Sequence, residues 1–395
     1  MSVITNPLSV REHSHGGPLV PVQTRSERPA STNPADFPKV TGREVEWRYT
    51  PVRELADLID GELDGSRGEV ADPGVDGVSI SWIGRDDARI GCAGTPEDKA
   101  SANAFASFGE ALLVEVSGEE QKTAVIDRSG LGSAARAGHV VVDIKPHARG
   151  LVILRHRGEA SLVENVEILA GDGSNVTVVS IQEWEDGARH LSSHFATVGR
   201  DAFLKHIVVS LGGKIVRLNP SVHLDAPGAD SELYGLYFSD AGQHLEQQVY
   251  VDHNAPQTRS RVNYKGALQG EGARSVWIGD VLIRQVAEGT DSYEENRNLV
   301  LSDGTRADSV PNLEIETGDI EGAGHASATG RFDDEQLFYL MARGISEPVA
   351  RRLVVHGFLN EILQQIDDES VREELEGRVE EELHRSTSAL LGASR

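Results

Sequence analysis

The chain has 395 residues and a formal net charge of −25, from 38 Lys and Arg against 63 Asp and Glu. That balance argues against a nucleic-acid partner, whose phosphates need a basic face, and against a polybasic membrane anchor. Its one cysteine, Cys92, excludes an internal disulfide, a Cys-rich zinc site and a cluster held by four cysteines of this chain. No apolar run is long enough to span a bilayer and no basic-then-apolar leader is present, so a soluble, cytoplasmic protein is expected.

Residues 1–40 are rich in Pro, Ser, Thr and Asn without apolar periodicity, which predicts a mostly disordered tail. His13 and His15 within it read as inert. Residues 41–111 read as a small N-terminal helical region. Trp47-Arg48-Tyr49 looks like an amphipathic strand-like step, and Thr50-Pro51 like the start of a helix carrying Leu55, Leu58 and Ile59. A second helix is predicted from Asp98 to Leu113, with Phe105 and Phe108 three apart.

From 112 to 325 the pattern changes. Short β-branched runs, such as 112–116, 139–144, 162–168, 176–181, 203–209, 262–268 and 275–283, recur at intervals near ten residues between Gly and Asp turns. Without crossover helices a doubly wound parallel sheet cannot be built. A sandwich, a barrel or a solenoid remains. No strict repeat is visible, but more than 200 residues of evenly spaced short strands favours a β-helix, which lengthens by adding turns.

Residues 326–395 read as a C-terminal helical domain. Asp333-Asp334 can cap a first helix with Leu337, Phe338, Leu340 and Met341 inward and Gly344 at its end. Ser346 starts a second, with an apolar stripe of Ala350, Leu353, Val354, Phe358, Ile362, Leu363 and Ile366. A third carries Val371, Leu375, Val379 and Leu383. Between Asp367 and Glu382 nine acids face two arginines, the pattern of a solvated acidic face, with a docking surface as the alternative.

No P-loop, nucleophile elbow or H-E-x-x-H is present. Residues 130–135 fit a dinucleotide fingerprint, but a β-branched run follows where a helix is required, so the match is accidental. His190 and His194, four apart, read as exposed. Glu314 and Glu316 read as spaced acids on one strand face. No complete catalytic set assembles, and the chain is not expected to be an enzyme.

Tyr264-Lys265-Gly266-Ala267-Leu268, Ile278-Gly279 and the run Asn296-Arg297-Asn298-Leu299-Val300-Leu301-Ser302 together resemble the SufB/SufD family of iron–sulfur cluster assembly proteins. So do Pro311-Asn312-Leu313-Glu314-Ile315, His325 with Gly330, Phe338-Tyr339-Leu340, Ala342-Arg343-Gly344-Ile345, Gly357-Phe358 and, near the start, Glu46-Trp47-Arg48-Tyr49-Thr50-Pro51. The lack of core cysteines and Ala326 after His325 favour the SufD branch over SufB. The usual Ser-His-Gly-Ala-Thr is here Gly324-His325-Ala326-Ser327-Ala328.

The resemblance implies a mainly β protein, a right-handed parallel β-helix capped by small helical domains, acting as a non-catalytic scaffold in a SufBCD complex. SufB would pair with the end of the β-helix around Leu313, Glu314 and Ile315, with self-pairing of the isolated chain as the alternative. The SufC ATPase would dock on the C-terminal helices through Phe338, Tyr339, Arg343, Gly344 and Phe358. No cofactor would be held by this chain alone. His325 would be a metal ligand to a nascent Fe–S cluster shared with SufB, or else only a turn-capping residue. A SufB-like homo-oligomeric scaffold and, from another class, a solenoid carbohydrate-active enzyme are the competing readings.

Overall fold

The computed structural model describes residue 25, residues 28–331 and residues 334–393. His13, His15 and Asp333 lie outside the described residues. The N-terminal part holds α1 (Ala56–Asp60), β1 (Val78–Gly84) and α2 (Lys99–Ser107). Strand pairs then follow without a helix between them. The first four are β2 (Glu110–Val116) with β3 (Gln121–Arg128), β4 (Gly132–Ile144) with β5 (Arg149–Gly158), β6 (Ala160–Ala170) with β7 (Asn175–Trp184), and β8 (Arg189–Val198) with β9 (Phe203–Ser210). The next are β10 (Ile215–Leu224) with β11 (Asp230–Ser239), β12 (His244–His253) with β13 (Arg259–Leu268), β14 (Arg274–Ile283) with β15 (Thr290–Val300), and β16 (Arg306–Ile315) with β17 (Ile320–Arg331). Three helices close the chain: α3 (Asp334–Ala342), α4 (Glu347–Leu363) and α5 (Glu369–Ala393).

Each pair is one rung of a β-solenoid. Even strands stack into a nine-stranded sheet that begins with β1, and odd strands into an eight-stranded one. Pairing along both stacks is parallel, whereas β1 runs antiparallel to β2. The rung length varies: Arg149 lies beside Asn175, 26 residues on, and Arg274 beside Arg306, 32 residues on. That variation keeps a regular repeat out of the sequence while leaving the stacking intact.

Alternate side chains of every strand point to opposite faces. One set meets between the sheets, where Val114, Ile126, Val152, Val166, Val208 and Val249 belong to a single buried core. The outer face of the nine-stranded sheet (Leu113, Val141, Val163, Leu191) is covered by Trp47, Leu55, Leu58, Ile59 and Phe108. Arg217 anchors this cover: its guanidinium lies 4.0 Å from the Trp47 ring and donates to Asp98 at 2.7 Å and Glu246 at 3.2 Å. The outer face of the eight-stranded sheet (Ile153, Ile181, Ile207, Leu236) is covered by α4 and α5 through Val355, Leu359, Ile362, Leu363 and Leu375.

Several local expectations shift. Trp47 sits in a 3-10 turn, Val45–Trp47, and not on a strand-like step, because its ring is needed flat under Arg217. The predicted second helix stops at Ser107: Asp98 caps it by accepting from the Ser101 N–H at 2.9 Å, and the β-branched residues after Gly109 join β2. The predicted stripe holds at Ala350, Ile362, Leu363 and Ile366, all buried, but in its middle Val355 and Leu359 turn inward and Leu353 is left 47% exposed. On α3, Leu337 alone is buried among the described side chains, while Phe338 and Met341 face out.

Candidate functional site

The solenoid has an unsealed end. β16 and β17 are the last strands of their sheets, so their outer backbone N–H and C=O groups meet no further strand among the described residues. They are also the most exposed rung, whereas the middle strands are almost wholly buried. An edge with free backbone groups invites strand addition. Of the residues predicted to meet a partner there, Leu313 packs on the end of the inner core, Glu314 is half-buried and Ile315 is 44% exposed. Glu316 accepts from the Gln285 N–H at 3.0 Å, so it is tied to the rung below and not paired with Glu314.

His325 lies on β17 opposite Glu294 of β15. Ala323, two residues before it, packs against the inner core, and Ser327, two residues after it, bonds Ser309 at 2.8 Å, so His325 points into the mouth between the sheets. Its Nδ1 is 3.7 Å from Glu294 Oε1, and its side chain is 44% exposed. An open groove of about 560 Å³ adjoins it, lined among others by Arg261, Tyr293, Glu294 and Gly324.

Glu294 was not anticipated from the sequence. Its side chain is buried and neither carboxylate oxygen has a hydrogen bond among the described residues. Gly279 makes the space: a Cβ there would come within 2.3 Å of Glu294 Oε2 and of the Trp277 ring. Burial, with the Asp280 carboxylate adding to it, pushes the Glu294 carboxyl up to about 8, the Asn312 backbone N–H pulling the other way. A largely neutral acid therefore sits beside an accessible imidazole. The pair can hold a proton at one site and offer a nitrogen lone pair at the other, the donor type that borderline metal ions prefer.

The C-terminal helices present a second surface. Lys265 donates to Glu361 at 2.5 Å and lies 4.9 Å from the half-buried Phe358 ring, so this residue of the recognised motif pins α4 to β13. Arg155 donates to Glu374 at 2.8 Å, Arg378 to Glu183 at 3.0 Å, and Lys205 faces Asp367 at 3.6 Å. Part of the acidic run is thus neutralised by the solenoid. On α3, Phe338 is 73% and Tyr339 55% exposed, with Arg343 stacked 4.4 Å from the Tyr339 ring and Gly344, at φ +86°, ending the helix. Exposed apolar side chains side by side are a feature that contact surfaces share.

His190 and His194 are a correction. Both lie on β8 and point into the solenoid, fully buried, while Leu191 and Ser193, at alternate positions between them, take the outer face. Spacing of four in a β-strand places both on one face just as helical spacing does, and the sequence around them carried no apolar alternation to reveal the strand.

A two-sheet parallel solenoid with helices clamped along it, one open rung and an imidazole at the mouth is the architecture of a docking scaffold. Residues 126–358 match the family described as "SUF system FeS cluster assembly, SufBD core domain". The chain is 49% identical over 355 residues to an iron–sulfur cluster assembly SufBD family protein of Mycobacterium tuberculosis, covering 87% of this chain and 89% of that one. A Mycobacterium leprae protein of the same description is 47% identical over 352 residues, with 87% and 90% covered. The iron–sulfur cluster assembly protein SufD of Escherichia coli is 29% identical over 197 residues, 49% of this chain and 46% of that one. The chain belongs to the SufBD family of iron–sulfur cluster assembly proteins.

Proposed function

We propose that this chain is the SufD-type scaffold subunit of an iron–sulfur cluster assembly complex, non-catalytic itself, and that its open rung pairs with a SufB subunit. The observation that carries the reading is the β16–β17 edge with His325 projecting beside Glu294. Strand addition there would continue both sheets into the partner, and His325 would then lie at the junction. With a SufB cysteine it would complete a site for the nascent cluster, which is cargo and not a resident group. A neutral Glu294 next to it is suited to release its proton when a cation arrives at His325 Nδ1 or Nε2, offsetting part of the added charge.

The exposed Phe338, Tyr339 and Arg343 surface is the proposed seat of the SufC ATPase, an arrangement that the missing P-loop in this chain favours. In the co-expressed complex, His325→Ala is expected to leave assembly intact and to reduce cluster formation to below about a tenth, the scale of losing a metal ligand or its support. Undiminished cluster formation would remove His325 from the site. Phe338→Asp, on a side chain that supports no core, should abolish co-purification of SufC without changing the fold. Retention of SufC by that variant would move the docking surface elsewhere.

A further inference from the structure

The solenoid interior holds a second polar cluster, remote in sequence from the last rung. His156 of β5, Glu164 of β6 and His190 of β8 all face inward and are completely buried. Glu164 uses one oxygen, Oε1, to accept from Arg128 Nη2 at 2.5 Å, and its Oε2 lies 3.1 Å from His156 Nε2. Gly138 leaves the room for this pair, since a Cβ there would come within 2.8 Å of Glu164 Oε1.

The surrounding hydrogen bonds fix which nitrogen of His190 is bare. Gln182 donates through its amide nitrogen to Ser180 Oγ at 2.9 Å, so its Oε1 is the acceptor, and it takes the Trp184 indole N–H at 2.8 Å. His190 Nδ1 lies 2.8 Å from the same oxygen and therefore carries the proton. His190 Nε2 is left with a lone pair and no hydrogen-bond partner. His156 Nδ1 has the Ile181 carbonyl and the Gln182 amide nitrogen both at 3.3 Å, and its Nε2–H donates to Glu164 Oε2 at 3.1 Å, a proton that an incoming metal ion would displace. The bare His190 Nε2 thus stands beside a hydrogen-bonded imidazole and carboxylate, His156 and Glu164. One ligand atom from each of the three residues lies within 4.8 Å of the other two.

We propose that His156, Glu164 and His190 form a buried binding site for one divalent first-row transition ion. Two imidazoles and one carboxylate are the donor set that suits zinc, iron(II) or cobalt(II) and disfavours magnesium or calcium. The outer partners already stand where a metal site needs them: Gln182 orients His190, and Arg128 holds the oxygen of Glu164 that does not face the histidines. All three residues being sealed, the ion would be taken up as the chain folds.

The test is to express the full chain in medium supplemented with cobalt(II) and to gel-filter it against a chelator. The expected result is about one retained cobalt per chain with visible d–d absorption, and retention at least about tenfold lower in His190→Gln and Glu164→Gln. His325→Ala should retain the full complement, so this outcome is independent of the last-rung proposal. If either variant fails to fold, anomalous diffraction from cobalt-loaded crystals of the unaltered chain decides, with a peak among the three side chains expected. A cobalt-free chain, as when a water fills the hole, would overturn the proposal. So would undiminished retention in both variants, or an anomalous peak elsewhere.

Discussion

Glu294 prefers its neutral form in the folded chain, at about 8 against an ordinary value of 4.5. The folded state therefore holds a proton that the unfolded state gives up between those values. The associated stability is fully present below about 4.5 and is lost as pH rises through about 8. Glu294→Gln should match the unaltered chain in urea unfolding at pH 5. At pH 9 it should be more stable by about 3–5 kcal/mol, since each unit by which the folded carboxyl is raised is worth about 1.4 kcal/mol. A gap that is flat with pH, or of opposite sign, would show that the carboxyl finds a partner when ionised. Glu294 could not be found from the sequence, because acids alternating with Ser292 and Asn296 on a strand look like a solvent face. Only the closing of the last rung over them makes that face an interior.

At the scale of elements, α4 and α5 are part of the core as well as a platform. Leu359 and Ile362 lie against the outer face of the eight-stranded sheet and are wholly buried. Leu359→Ala should cost about 2–5 kcal/mol, read as a lower unfolding midpoint, and deleting the helices should expose Ile153, Ile181 and Leu236 to aggregation. Point changes on Phe338 are for this reason a cleaner probe of docking than truncation. The strand-rich middle was legible because Val and Ile recur on the inward positions of β4 to β7. β8 and β17 were not, since their inward positions are His190, Ser192 and His194, or His325, Ser327 and Thr329. Apolar alternation is the cue, and a polar interior mutes it. The middle of the α4 stripe was misphased for a related reason: apolar residues ring most of that helix, and the partner sheet selects Val355 and Leu359 over Leu353.

For the whole molecule, the two ends of the solenoid differ. At the first rung β1 lies antiparallel on β2, with Val78 opposite Val116 and Gly84 opposite Glu110, while the last rung is bare. Ile80→Pro, which removes a backbone donor and bends β1, should uncover the first edge of the nine-stranded sheet. Light scattering is expected to rise with concentration in that variant and not in the unaltered chain; equal behaviour would mean that β1 protects nothing. The same reversal of strand direction has an arithmetic consequence. Monomers adhesive at both termini polymerise without limit, whereas a unit plugged at one terminus can join a single neighbour and is then spent. The antiparallel β1 thus leaves β16 as the end from which the parallel nine-stranded stack can be continued in kind, which works against growth of that ladder into a fibre.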